Sequence, residues 1–200
     1  MWRGLRYKKK VSGVTGEAYY LKFPTSGALF LDSPIVLSGN FTIKADLTWT
    51  YNDQGEGQKL FDAPTNNNRF DINIAPDGSV NSRPYMDVRV DGVLGAPLQS
   101  GVKQTLEIFR DATHSDQNDK ELQWVGRRFE DINGNLFYLE SALHSLEVID
   151  PTGTTTNNYP AAYPDGTGTI WEDSVSGNTA RQVGTWPADN SEWVSDEPHL

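Results

Sequence analysis

The sequence predicts an all-β domain of two antiparallel sheets packed as a sandwich, and three observations carry that expectation. Apolar residues recur with period two, turn dipeptides separate the runs, and no stretch keeps helical spacing over three turns. Side chains alternate faces along a strand, so period two means one buried and one solvated face. A closed barrel is the alternative architecture.

Taken in order, "AYYLKF", "GALFL" and "PIVL" are short apolar runs that add strands between residues 18 and 37. The clearest strand is "NFTIKADLTWT", where Phe41, Ile43, Ala45, Leu47 and Trp49 alternate with Thr42, Lys44, Asp46 and Thr48. "RFDINI" repeats the pattern with Phe70, Ile72 and Ile74, and "YMDVRV" with Met86, Val88 and Val90; "IAPDGSV" between them reads as a hairpin connection. "KELQWVGRRFEDI" comes nearest to helical spacing, but Gly126 and the aromatics suit strands equally well. "TLEI", with Leu106 and Ile108, and "LHSLEV", with Leu146 and Val148, complete the alternating set.

The pairs Asp77-Gly78, Asp91-Gly92, Asn133-Gly134 and Asp165-Gly166 tolerate the positive φ of tight turns. Polar stretches at 50–58, 62–68, 111–120 and 151–168 read as loops. Three of the six tryptophans fall within 166–194. A solvated tail would not hold Ile170, Trp171, Val183, Trp186 and Trp193 at that density. "TIWED" and "ARQVGTW" therefore read as a strand pair around "SVSGN", with Gly177-Asn178 at the tip. The expected organisation is a basic arm at 1–16 and a single sandwich domain at 17–200, with 166–194 completing it.

With 36% hydrophobic and 11% aromatic residues, the 200-residue chain can bury one core, and global disorder is disfavoured. The net charge is −10. Five of the 17 basic residues (Arg3, Arg6, Lys8, Lys9 and Lys10) lie in the first ten positions, which leaves 12 against 27 acids in the body. Such a body repels phosphate backbones, so nucleic acid is not an expected partner. The basic segment is either an arm that docks on an acidic partner or a solvated terminus. With no cysteine there is neither a disulfide nor a thiolate metal site. No secretory leader or membrane-length apolar run is read here.

The search for chemistry yields little. A retaining glycosidase needs two carboxyls roughly 5–5.5 Å apart, which a Glu-x-Asp on one strand face would supply, and that motif is absent. Asp71, Asp87 and Asp91 lie on polar strand faces, and Asp87 and Asp91, four apart with Arg89 between them, read as a solvated ladder of cross-strand charges. His114, His144 and His199 show no metal spacing and no nucleophile motif, and His144 reads as structural. The expectation is a non-enzymatic protein without a cofactor, although Asp111, Asp116 and Asp119 in "DATHSDQND" could offer oxygens to Ca2+. Aromatic rings stack on sugars and short polar groups bond their hydroxyls. Trp124 and Tyr138, with Arg127 and Arg128 beside them, form the candidate ligand patch; the competing reading places both aromatics in the core.

In order along the chain, "YYLKFPTSGALFLDSPIVLSGNFTIKADLTWT", "NRFDINIAPDGSVNSRPYMDVRVDG" and "ESALHSLEVIDP" resemble successive strands of the laminin-G-like, concanavalin A-like jelly roll, over about residues 17–151. "DGTGTIWEDSVSGNTARQVGTW" is similar to a segment that stands before the first strand in bacterial and phage members; here it follows the last. That order, with "PADNSEWV" after it, resembles phage and prophage tail or fibre-type proteins. The resemblance implies a jelly-roll sandwich in a virion structural or recognition protein: a decoration, fibre or tail-associated component that binds a surface glycan or a neighbouring virion subunit. Expected partners are other virion proteins or a host-surface polysaccharide, with homo-oligomerisation and no membrane insertion. The alternative is a bacterial extracellular or cell-surface carbohydrate-binding module or glycoside hydrolase-like jelly roll.

Overall fold

A computed structural model describes residues 19–24, 27–51, 57–63, 70–83, 86–126, 139, 141–160, 170–184, 186 and 193–195. Among these, every regular element is a strand. They are β1 (Tyr19–Lys22), β2 (Gly27–Leu37), β3 (Phe41–Thr48), β4 (Gln58–Asp62), β5 (Asp71–Ile74), β6 (Val80–Arg83), β7 (Asp87–Val90) and β8 (Val93–Leu94). Then follow β9 (Lys103–Arg110), β10 (Lys120–Val125), β11 (Ala142–Ile149), β12 (Thr155–Tyr159), β13 (Ile170–Glu172), β14 (Thr179–Gly184) and β15 (Trp193–Ser195).

The strands form two antiparallel sheets. An eight-stranded sheet runs β15-β1-β11-β3-β9-β7-β8, with β12 also paired to β11, and a seven-stranded sheet runs β13-β14-β2-β10-β4-β5-β6. The fold class is that implied by the alternation: a two-sheet sandwich, consistent with a jelly-roll-like arrangement, and not a closed barrel. The chain crosses repeatedly between sheets, so most pairings join distant segments. Strand β2 takes β14 on one side and β10 on the other, and β1 takes β15 and β11.

The period-two residues do what their spacing requires. Phe41, Ile43, Ala45, Leu47 and Trp49 are buried, as are Phe70, Ile72 and Ile74 from the opposite sheet. Phe70 lies 6.3 Å from both Phe41, edge-on, and Phe61, stacked, and so ties the two inner faces together. Met86, Val88, Val90, Leu106, Ile108, Leu146 and Val148 join the same core. Burying a single such side chain stabilises by roughly 1.5–3 kcal/mol.

Two local expectations are corrected. "GALFL" and "PIVL" belong to one strand, β2, whose ladder with β10 is irregular between Leu122 and Trp124, so the polar residues between the runs are absorbed without a break. Residues 155–159, read within a loop on their polarity, form β12; Asn157 and Tyr159 are buried and the strand pairs with β11. The turns behave as their dipeptides imply. Asp91 and Gly92 have φ of 50° and 79°, the paired positive values of a tight hairpin, and the Asp91 carboxylate accepts from the Thr105 N–H and the Gln104 amide, both at 2.9 Å. Gly78 has φ of 83°, and a Cβ there would run into the Leu98 carbonyl oxygen. Asn133-Gly134 and Asp165-Gly166 lie outside the described residues.

Residues 170–184 form the edge of the seven-stranded sheet. β13 pairs with β14, Gly177 at φ 72° turns the chain between them, and β14 continues onto β2 from Gly184↔Gly27 to Ala180↔Leu31. Trp171 is buried, its ring 5.8 Å from Tyr159 and its Nε1–H donating to the Pro160 carbonyl at 2.7 Å.

Candidate functional site

The polar face of the eight-stranded sheet carries a row of alternating charges. Glu147, Lys44, Glu107 and Arg89 are cross-strand partners in turn across β11, β3, β9 and β7. Lys44 meets Glu107 at 3.2 Å, and the Arg89 guanidinium lies 4.3 Å over the Phe109 ring. Asp46, one step along β3, accepts from the hydroxyls of Thr105 (2.7 Å) and Ser145 (3.1 Å). These groups satisfy one another and leave little to offer a ligand.

Towards the other end of the same face the pattern changes. The β3–β11 register slips between Leu143 and Ser145, so His144 is the extra residue of a β-bulge. Leu143 partners the buried Leu47 and Ser145 partners Asp46 on the polar face. His144 also turns to the polar face, where its Nε2 lies 2.9 Å from Thr48 Oγ1 and its ring packs 4.8 Å from Tyr20. A pocket of about 390 Å3 opens there, lined by Tyr20 and Lys22 of β1, Ala142 and His144 of β11, Thr48 and Lys103 of β3 and β9, and Thr50, Gly101 and Ser141 beside them. Its floor is braced. The Ser141 hydroxyl accepts from the Thr50 N–H at 3.1 Å and donates to Gln58 Oε1 at 3.0 Å, while the Gln58 amide donates to the Thr50 carbonyl at 2.6 Å.

Among the described residues the pocket is lined by an aromatic ring, an imidazole, three hydroxyl side chains and two lysines, and by no carboxylate. Its volume falls in the range of small-molecule sites, roughly 300–1,000 Å3. The positions come from four adjacent strands, a more rigid support than a loop provides.

The residues singled out from sequence fare differently. Trp124 lies on the opposite sheet, on the outer face of β10, half-buried and edge-on to Phe30 at 4.7 Å, so the core placement is not what the structure shows for it. Arg127, Arg128 and Tyr138 lie outside the described residues, as do Arg3, Arg6, Lys8, Lys9 and Lys10. His144 lies within β11. Its signal was present in the spacing: Leu143 and Leu146 are three apart, where an unbroken strand would repeat every two.

The acids of "DATHSDQND" serve local structure. Asp111 accepts from the Thr113 hydroxyl (2.5 Å) and N–H (2.8 Å), bonds that hold its carboxyl below the usual range, and lies 3.1 Å from His114 Nδ1. Asp116 pairs with Lys120 at 2.9 Å. The same Asp-x-Ser/Thr turn recurs at Asp77-Gly78-Ser79 and Asp150-Pro151-Thr152. Among the described residues no group of three or more His, Asp or Glu is placed to hold a metal ion. No family model, curated protein or solved structure matches this chain.

Proposed function

We propose that the chain is a non-enzymatic recognition module that seats a sugar residue of a surface glycan in the Tyr20–His144 pocket, and that it acts as a structural or tail-associated component of a virion, as the jelly-roll resemblance implies. The pocket's lining is the observation that supports this reading. Tyr20 supplies a ring for the apolar face of a sugar, Thr48 and Thr50 supply hydroxyl-bonding groups, and the ammonium group of Lys22 favours an acidic sugar over a neutral one.

The test is a glycan array probed with multimerised protein at physiological salt, with neutral and uronate- or sialate-bearing glycans side by side. Binding to acidic glycans, lost at least tenfold in Tyr20→Ala and Lys22→Glu, is the expected result. A blank array, or binding indifferent to both substitutions, overturns the reading.

Docking on a neighbouring virion subunit is the second reading, and one observation favours it. Val93 and Leu94 of the edge strand β8 are 60% and 62% exposed, an apolar pair at a sheet margin where another chain could add.

A further inference from the structure

The outer face of the seven-stranded sheet holds three buried ionisable side chains on two neighbouring strands. Lys59 of β4 and Asp71 of β5 are in contact through Nζ and Oδ1, and their exposures are 7% and 3%. A second carboxyl, Asp62, is 6% exposed and is the direct cross-strand partner of Asp71. Such partners place their Cβ atoms about 4.5–5.5 Å apart on one face.

A regular strand would not assemble this trio. Asp62 and Lys59 are three residues apart, so on an unbroken β4 they would point to opposite faces. The β4–β5 ladder slips between Lys59 and Phe61, and the extra residue returns Lys59 to the face of Asp62 and Asp71. Trp124 is the cross-strand partner of Asp62 on its other side, and Phe30 lies edge-on to that ring. An amine, its target carboxyl and a second carboxyl are thus held together beside an aromatic wall and largely out of water.

We propose that Lys59 and Asp71 are joined by an intramolecular amide bond, formed by the folded chain itself with Asp62 carrying the proton. The balance needs no outside reagent. Proton transfer within the ion pair gives a neutral amine and a carboxylic acid, and the Nζ lone pair then attacks Cγ of Asp71. Asp62 takes one proton from the attacking nitrogen and delivers it to the departing oxygen. The N–C bond forms, one C–O bond breaks, and one water leaves with no change in oxidation state. The product is neutral where the reactants were a buried ion pair, so the desolvation that opposes the pair is relieved. Proximity and orientation in the fold replace an enzyme. In a chain without cysteine, this bond would supply the covalent tie between strands that a disulfide cannot.

The deciding measurement is the intact mass of the full-length protein under denaturing conditions. The wild type is expected to be lighter than its sequence mass by one water. Proteolysis should yield a single species linking the peptide of Lys59 to that of Asp71, with no tryptic cleavage after Lys59. Lys59→Arg and Asp62→Ala should each return to the full sequence mass. A wild-type protein at full sequence mass overturns the proposal, whether or not any variant folds. A deficit that persists in Lys59→Arg also overturns it, because dehydration would then lie elsewhere.

Discussion

Asp173 shows how one side chain can hold two layers together. It follows β13 in the seven-stranded sheet, is 1% exposed, and accepts from β12 of the other sheet through the Asn158 N–H (2.8 Å) and the Asn157 amide (2.5 Å). The Val175 N–H and the Ser176 hydroxyl complete its shell at 2.9 and 2.5 Å. Burial alone would raise its pKa, but the bonds from Asn158, Ser176, Val175 and Asn157 together outweigh it and hold the carboxyl below its ordinary range. A carboxyl depressed in the folded state contributes stability that is present above its unfolded pKa and is lost as pH falls through the folded value. Replacing Asp173 with Asn should cost about 2–3 kcal/mol at neutral pH, and the variant's urea midpoint should fall less steeply below pH 4 than that of the wild type. Parallel acid-range slopes in the two proteins would show that the clasp does not carry the charge-linked stability.

At the scale of the element, the strands were legible because alternation is a local property. The nine residues from Phe41 to Trp49 declare one buried face without reference to anything else in the chain. The bulges that build the sites were not legible in the same way, since a bulge is a relation between two strands. His144 and Lys59 each reach their positions through a register slip that only the partner strand defines. β12 was missed because its burial rests on Asn157 bonding Asp173 and Ser176 of the β13–β14 turn and on Tyr159 packing against Trp171 of β13, and not on apolar spacing. The charge row across β11, β3, β9 and β7 gives an element-level prediction. Lys44 stands between Glu147 and Glu107, so Lys44→Glu places three acids in register and should destabilise by about 1 kcal/mol. A second change, Glu107→Lys, should restore most of the loss in a thermal melt; an unchanged midpoint in the single variant would show that solvent screens the row completely.

Across the whole molecule, the pairings that close the sandwich join segments far apart in sequence. β14 lies against β2 and β15 against β1, so the last elements complete edges begun by the first. Local pattern could not foretell which strands these partners would be. A chain ending at residue 165 would lose Trp171 and Ala180 from the core and leave β2 paired on the β10 side alone. Loss of the tryptophan alone costs about 3–5 kcal/mol, and the truncated protein should melt at least roughly 10 °C lower. An unaltered melt would make residues 166–200 an appendage.

The antiparallel pairing of β1 with β15 sets Tyr19 directly across from Ser195, at one tip of the same ladder. Tension applied through segments leaving those two residues would therefore load the hydrogen bonds one pair at a time, as a zipper, and would not shear the whole ladder at once. Under pull the edge of the eight-stranded sheet would open first, and the face of Tyr20 that lines the pocket would be among the first surfaces to change.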